Sequence, residues 1–241
     1  MTDLFRLWVY LAERPLLWLT ATVLAYWLAH RLYTRSGEMP LLNPVLIAVT
    51  LLVGVLGITG TPYGTYFDGA QFVHFLLGPA TVALAVPLYR QAHRLRRMWL
   101  PLVVALLAGS VTGIVSAVGI GWLLGLDPTV LRSLAPKSVT TPIAMGIAEQ
   151  IGGLPSLTAV LVILTGISGA VLAVPALRAL GLGREQAAAK GFAIGVASHG
   201  IGTARAFEHS EDAGAFAGLG MGLNGALTAA LVPLLAWLLG V

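Results

Sequence analysis

Long apolar stretches separated by sparse charges dominate the pattern of this sequence. The runs without Asp, Glu, Lys or Arg that bear on the fold are 15–30, 39–67, 69–89, 98–126, 150–177, 191–204 and 213–241. A helix needs about 20 apolar residues to cross the hydrocarbon core of a bilayer, and most of these runs reach that length. Because the runs are continuously apolar rather than alternating, the pattern predicts membrane-spanning helices and disfavours a β-barrel.

The runs predict an all-α integral membrane protein with about six full transmembrane helices. Two further stretches, 138–148 and 191–204, are too short or too rich in glycine to span, so we expect broken or re-entrant segments there. The whole chain, 1–241, is predicted to be a single transmembrane domain, with an N-terminal helix in 1–35, a first half in 40–126 and a second half in 127–241.

The basic residues predict how this multi-pass chain is oriented in its membrane. Residues 90–97 hold four arginines in a short loop, and such a bias marks the cytoplasmic side. The loop around Asp68 has no basic residue and is expected outside, whereas the basic loop 178–190 is expected inside. To connect these loops, segment 127–150 has to re-enter or break within the membrane, and the charge pattern leaves the topology after residue 126 open.

Two parts of the sequence resemble each other. The segments 78–84 and 141–147 both have a proline at their second position, and each is followed by a polar loop and a Leu-Pro pair, Leu100-Pro101 and Leu154-Pro155. Repeated halves with broken helices are typical of secondary transporters. The similarity fits an inverted internal repeat, although two segments of similar composition would also produce it.

Composition narrows the class of protein further. Apolar residues make up 57% of the 241 residues and charged residues 10%, against about 25% charged residues in an average soluble domain. A soluble enzyme needs a charged surface and a disordered chain needs low hydrophobicity, so both classes are excluded. The net charge is +4, but the basic residues form no stripe interleaved with aromatic residues, and we expect no nucleic-acid partner.

The first concentration of polar residues within an apolar region is the stretch 135–145. Pro142 lacks an N–H, and the residue before it, Thr141, is biased away from helical geometry, so a helix breaks here. Ser138, Thr140 and Thr141 can satisfy the freed backbone groups and can bind a ligand. A helix that restarts at Pro142 would point its positive end at the break, and Lys137 would strengthen its preference for a carboxylate. The alternative is an external loop followed by a proline-initiated helix.

The second polar stretch is 190–206. Its glycines allow the backbone to leave helical geometry, so we expect a break near His199-Gly200 that meets the break near Thr141-Pro142 at the membrane midplane. Its ionisable residues are costly at membrane depth and are therefore functional candidates. The predicted site residues here are Ser198, His199, Gly200, Gly202, Thr203 and Arg205. Alternatively, His199 is a hydrogen-bonding residue of helix packing and Arg205 extends to the membrane interface.

Three residues are candidates for coupling a proton or sodium ion to transport. His199 has a side chain that titrates near neutral pH. Glu149 is an acid in an apolar neighbourhood, although a position at the membrane surface is slightly favoured for it, and His74 raises the same question less strongly. The amides of Asn43 and Asn224 are assigned to helix pairing, and the glycine-rich run 214–222 to close helix packing.

Standard catalytic patterns are missing, so we expect no enzyme. The sequence has no HExxH, GxSxG or phosphate-loop motif, and its lack of cysteine excludes thiol chemistry and disulfides. The acids Glu208, Glu211 and Asp212 beside His209 could ligate a metal, but a solvated polar loop explains them better. We therefore expect neither a metal nor a cofactor.

The two polar stretches together carry a family resemblance. The relevant segments read Lys-Ser-Val-Thr-Thr-Pro-Ile-Ala at 137–144 and Ala-Ser-His-Gly-Ile-Gly-Thr-Ala-Arg-Ala at 197–206. In this order and at this distance they resemble signature segments of the LrgB/CidB family of bacterial membrane proteins. The resemblance implies a multi-pass protein of the bacterial cytoplasmic (inner) membrane. Asn43-Pro44 and the region 67–79 are similar too, so the resemblance extends over about residues 40–240.

The resemblance implies two alternative functions. Members of the family are described as holin- or antiholin-like modulators of murein hydrolase activity and autolysis, usually acting with a small LrgA/CidA-type membrane partner. A related fused protein in plastids exports glycolate and glycerate, and some bacterial pairs take up pyruvate. The resemblance thus also implies transport of small 2-oxo or 2-hydroxy monocarboxylates.

The residue chemistry favours the transporter hypothesis. A break with hydroxyls, a helix N-terminus, a lysine and an arginine would suit a small carboxylate, whereas a lesion-forming protein needs association surfaces rather than polar pockets. The expected partners are the lipid bilayer, a small carboxylate substrate, a small LrgA/CidA-type subunit and, compatible with the sequence, further copies of the chain. A holin-like pore or regulator of cell lysis is the alternative.

Overall fold

The computed structural model describes residues 15–37, 39, 42–76, 79, 82–83, 85–90 and 92–239, and most of them lie in helices. No β-strand occurs in these ranges, which confirms the predicted all-α class. The chain divides into two compact units, Met1–Ala83 and Leu84–Val241, which are described in turn.

The described part of the first unit consists of the helices α1 (Pro15–Arg35), α2 (Pro44–Thr59) and α3 (Tyr63–Phe75). α1 packs against both other helices, and its buried Trp18 meets the ring of Tyr66 edge-on, with ring centroids 5.8 Å apart. α2 begins where the side chain of Asn43 accepts the backbone N–H of Val45 at 2.9 Å. Asn43 therefore caps a helix, which corrects its assignment to helix pairing.

The described part of the second unit has the helices α4 (Ala85–Arg90), α5 (Ala92–Arg97), α6 (Trp99–Leu123), α7 (Pro128–Leu134), α8 (Thr141–Gln150), α9 (Pro155–Ala179), α10 (Ala187–His209) and α11 (Glu211–Leu239). Among the described residues of the chain, α6, α9 and α11 are long and apolar enough to cross a membrane. The total of about six spans, the inverted repeat and the division at residue 126 stay predictions.

The segment between α6 and α9 begins and ends near the C-terminal end of α6. Near the end of α6, a Cβ at Gly121 would lie 2.7 Å from the side chain of Leu131, so α7 packs closely there. The backbone N–H of Leu154 donates to the Ser133 hydroxyl at 2.7 Å, and the Thr158 hydroxyl donates to the Ser133 carbonyl at 3.0 Å. Residues 134–153 therefore start at the C-terminal end of α6, extend along α6 as far as Gly113, which lies beside Ser138, and return to the same end.

α10 also folds back on itself, and it does so at His199, where φ is 41° and ψ is −135°. Beyond this point Gly202 packs against Ile194, although a straight helix would separate the two by about 12 Å. Both halves of α10 lie against α11, through the pairs Gly191–Ala213, Gly195–Ala217, Thr203–Met221 and Phe207–Gly214. In the first two pairs the residue numbers of α10 and α11 increase together, so the first half of α10 runs parallel to α11. In the last two pairs they change in opposite directions, so the second half of α10 runs antiparallel to α11.

Small residues allow the first half of α10 to lie directly on α11. A Cβ at Gly191 or Gly195 would overlap the carbonyl oxygen of Ala213 or Ala217, and a Cβ at Gly220 would lie 2.7 Å from the carbonyl oxygen of Phe192. This arrangement confirms the close helix packing predicted for the run 214–222.

The two halves of α10 on either side of His199, called the α10 hairpin below, begin and end near the N-terminal end of α6. Ala188 packs with Leu102 of α6 in one hydrophobic cluster. At the start of α11, Glu211 pairs with Arg90 at 3.1 Å and Asp212 with Arg94 at 2.6 Å. These solvent-accessible pairs contribute at most about 1 kcal/mol each. The polar loop predicted around 208–212 is instead the end of α10 and the first turn of α11.

Candidate functional site

The first predicted break lies inside the protein. α8 begins at Thr141, so a helix restarts beside Pro142 as predicted, and Thr140 before it is extended, with φ −64° and ψ 148°. Pro136 and Val139 are fully buried, which identifies the stretch before α8 as an interior segment rather than an external loop. Its backbone polar groups therefore need partners within the protein.

The second predicted break is a non-helical backbone conformation at His199, and hydrogen bonds of this residue stabilise it. A positive φ is uncommon outside glycine and costs about 1–3 kcal/mol. The ring Nε2 of His199 is 2.9 Å from the Val162 carbonyl of α9, and the His199 carbonyl accepts the Thr203 hydroxyl at 2.8 Å. Gly166 of α9 leaves room for the ring, because a Cβ at this position would lie 2.6 Å from it. The break lies where the sequence predicts it, near His199-Gly200, and the non-helical backbone is at the histidine itself rather than at the glycine after it.

One buried amide joins the two breaks. Asn224 Nδ2 donates to the carbonyl of Ser138 at 3.3 Å and to the carbonyl of Val196 at 3.0 Å. In an unbroken helix the Val196 carbonyl would accept the N–H of residue 200, but the break at His199 intervenes. Asn224 is 1% exposed and lies in the middle of α11, so it brings the tips of both folded-back segments together halfway along this helix.

A cavity of about 370 Å³ opens beside this junction, between α6, the segment before α8, α10 and α11. Its polar lining residues are Ser110, Lys137, Ser138, Asn224 and Thr228. Among the described residues that line it, Lys137 alone carries a charge, and its Nζ donates to the Ser138 hydroxyl at 3.2 Å. The rest of the lining is apolar. The cavity therefore offers one cation and several hydroxyls in surroundings where the electrostatic attraction of an anion is strong.

The structure brings only part of the predicted site into this cavity. Lys137 and Ser138 line it, whereas Thr140, Thr141 and Pro142 lie at the beginning of α8, outside the lining. Sequence reasoning missed Ser110 and Thr228, whose hydroxyls are 3.4 Å apart. It named Asn224, but only for helix pairing.

The second polar stretch contributes to folding around the cavity rather than to its lining. Ser198, His199 and Thr203 are buried at the break, and Gly200 and Gly202 belong to the returning half of α10. Arg205 is buried and forms an ion pair with Glu208, so a carboxylate of the protein already contacts this guanidinium.

The ion-coupling candidates also lie outside the lining. Glu149 is exposed in the last turn of α8, and the His199 ring faces the carbonyl of Val162. The side chain of His74 is outside the described residues.

A second hollow, of about 1000 Å³, lies where the α10 hairpin begins and ends. Its charged lining residues are Arg178, Glu185, Lys190, Glu208 and Asp212. Because both signs are present, this hollow offers no consistent preference for an anion. The 370 Å³ cavity with its single lysine is therefore the candidate functional site.

Comparison with known proteins gives a consistent family. The profile of the LrgB-like family matches residues 22–238. The uncharacterized protein YxaC of Bacillus subtilis (strain 168) is 38% identical over 90% of this chain and 93% of its own length. The antiholin-like protein LrgB of Bacillus mycoides (strain KBAB4) is 31% identical over 91% of this chain and 95% of its own.

No solved structure matches the chain. The family profile and the relatives nevertheless extend over nearly its whole length, and the long apolar helices fit a protein of the membrane. The chain therefore belongs to the LrgB-like family of membrane proteins.

Proposed function

We propose that this protein carries small monocarboxylates, of the pyruvate or glycolate kind, across the bacterial inner membrane. The 370 Å³ cavity with Lys137 as its charged lining residue is the observation that supports the proposal most strongly. The substrate carboxylate would bind Lys137 Nζ, and its 2-oxygen would take hydrogen bonds from Ser138, Ser110 or Thr228. No group of the cavity needs to act as acid, base or nucleophile, so the proposed activity is transport without catalysis.

The two folded-back segments support transport because they start at opposite ends of α6. Residues 134–153 return to the C-terminal end of α6, and the α10 hairpin starts near its N-terminal end. A helix of 25 residues is about 37 Å long, which is enough to cross a bilayer. We infer two re-entrant segments that enter from opposite sides and meet near the midplane at Asn224. Secondary transporters place their substrate sites between broken helices of this kind.

The remaining parts of the proposal concern coupling and partners. His199, Glu149 and His74 are the candidates for carrying a proton or sodium ion, and His199 is the one that lies at a break. A small LrgA/CidA-type subunit would act together with this chain, and further copies of the chain would be compatible with it.

Uptake into proteoliposomes tests the proposal. The purified protein, with and without the small subunit, should take up labelled pyruvate, glycolate or lactate saturably. Lys137→Gln removes the cation and should lower uptake by about 10- to 100-fold, the value of one charge-assisted hydrogen bond. Lys190→Gln is the matched control because Lys190 lines the other hollow. Saturable uptake that is unchanged in Lys137→Gln would contradict this site.

A holin-like pore or regulator of lysis is the second candidate, and it is favoured by the name of one relative, the antiholin-like protein LrgB of Bacillus mycoides. Liposomes loaded with dyes far larger than pyruvate separate the two functions. Dye release without saturable uptake would favour the pore, whereas uptake with full dye retention would favour the transporter.

A further inference from the structure

The polar residues of the candidate site do not all offer the same hydrogen-bonding group to a ligand. A hydroxyl has one hydrogen to donate and two lone pairs that accept, so a neighbour that takes the hydrogen leaves only an acceptor. Which hydroxyls keep a hydrogen for the ligand therefore depends on the directions of the hydrogen bonds among Ser110, Thr228 and Asn224. These directions follow from the side-chain amide of Asn224.

The contacts of the Asn224 amide allow only one orientation of this group. One of its two terminal atoms lies 3.3 Å from the Ser138 carbonyl oxygen and 3.0 Å from the Val196 carbonyl oxygen. Carbonyl oxygens only accept hydrogen bonds, so this atom is the amide nitrogen and both of its hydrogens are donated. The other terminal atom is therefore the oxygen Oδ1, which faces the hydroxyl of Thr228 and can only accept.

The Asn224 oxygen determines the directions of the next two hydrogen bonds. The Thr228 hydroxyl lies 3.4 Å from Asn224 Oδ1 and has to donate its single hydrogen there. The Ser110 hydroxyl lies 3.4 Å from the Thr228 hydroxyl, so Ser110 has to be the donor of this contact. The Ser110 hydroxyl has no other partner among the described residues. It therefore offers a ligand lone pairs and no hydrogen.

The first polar stretch offers the opposite groups. Lys137 Nζ donates to the Ser138 hydroxyl at 3.2 Å, so this hydroxyl accepts and keeps its own hydrogen for a ligand, as Lys137 keeps two of its three. A Cβ at Gly113 would lie 3.7 Å from the Ser138 hydroxyl, and Ser110 lies on the same face of α6, about 5 Å along the helix. The cavity therefore has donors at one position and an acceptor about one helical turn away.

We propose that Ser110 is a specificity-determining residue, which accepts a hydrogen bond from the 2-hydroxyl of the substrate, and that Thr228 is the residue that positions it. This inference rests on the proposed function, which places the substrate carboxylate on Lys137. A 2-hydroxy acid has the hydrogen that Ser110 needs, whereas a 2-oxo acid brings lone pairs towards lone pairs. Ser110 could donate to a 2-oxo group only by giving up its hydrogen bond to Thr228. The cavity should therefore bind lactate about five- to tenfold more tightly than pyruvate, the value of one hydrogen bond.

Binding of labelled lactate and labelled pyruvate to the purified full-length protein tests this preference without requiring transport. The two acids have the same carbon skeleton, so the ratio of their dissociation constants reports the group at the 2-position, and general damage to the site weakens both alike. Thr228→Val removes the hydroxyl, so Ser110 is free to donate and the ratio should fall to about one. Thr228→Ser restores a hydroxyl and should keep the wild-type preference.

A second variant removes the acceptor itself. Ser110→Ala should weaken the binding of lactate about five- to tenfold and thereby abolish the preference over pyruvate. Thr112→Ala is the matched control, because Thr112 is an exposed residue of the same helix and does not line the cavity. It should leave the affinities for both acids unchanged.

The outcomes separate this inference from the proposed function. Equal affinity for the two acids in the wild type, or a preference for pyruvate, would overturn the role of Ser110 while leaving carboxylate binding at Lys137 intact. An unchanged ratio in both Thr228→Val and Ser110→Ala would overturn it as well, because another group would then set the preference. Binding of neither acid would contradict the proposed function, and this inference with it.

Discussion

At the scale of single residues, Asn224 connects the features that distinguish this protein. Its two amide hydrogens reach carbonyls at two different breaks, Ser138 and Val196, and its oxygen lies 3.4 Å from the hydroxyl of Thr228. Buried carbonyls without donors are costly in a membrane protein, where water does not replace the lost partner. One side chain therefore compensates for much of the backbone irregularity that the cavity requires.

Asn224→Ala should lower the unfolding free energy by about 2 kcal/mol or more, because it leaves two buried carbonyls without this donor. Asn224→Asp should be at least as damaging, since an ionised carboxylate has no donor to offer. Thermal unfolding in a fixed detergent measures the effect. Thr50→Ala is the control, as the exposed Thr50 hydroxyl bonds only a carbonyl of its own helix. An Asn224→Ala protein as stable as this control would show that the junction does not depend on the amide.

At the scale of helices, the contact between α10 and α11 depends on the glycines that face the partner helix, and other glycines of the same helices do not take part in it. Gly195 lies so close to Ala217 that a Cβ would overlap the backbone carbonyl, whereas no atom lies within 4 Å of a Cβ at Gly222. Both residues are inside helices. The same substitution at the two positions therefore separates packing from helix propensity.

Gly195→Ala should destabilise the protein by about 1–3 kcal/mol, because α10 and α11 must move apart. Gly222→Ala should stabilise it by up to about 1 kcal/mol, because alanine favours the helix and meets no neighbour. Thermal unfolding of the two variants under identical conditions should give shifts of opposite sign. Shifts of equal sign and size would contradict the close contact.

The sequence predicts the helical class and the position of both polar stretches, because proline and buried polar residues leave a visible pattern. Pro142 in particular marks the beginning of α8 to within a residue. The break near His199 was also predicted, but the contact that anchors its ring could not be, because the Val162 carbonyl belongs to another helix. Ser110 and Thr228 were also missed, since a hydroxyl in a helix usually bonds its own backbone and only tertiary packing directs it into a cavity.

At the scale of the whole molecule, the absence of cysteine makes the proposed membrane placement directly testable. The two ends of α9 should lie on opposite sides, since its 25 residues extend about 37 Å. By contrast, the two ends of α10 should lie on the same side despite its 23 residues, because the helix folds back at His199. The two helices thus give opposite expectations from nearly equal lengths.

Single cysteines at exposed positions can report this difference in whole cells. Leu154→Cys, before α9, should react with a membrane-impermeant maleimide from outside, whereas Leu180→Cys, after α9, should react only after the cells are permeabilised. His209→Cys at the end of α10 should behave like Leu180→Cys, since the hairpin returns to the side it started from. Labelling of His209→Cys in intact cells would mean that α10 crosses the membrane. The opposed re-entrant segments, and the meeting of their tips in the membrane, would then be wrong.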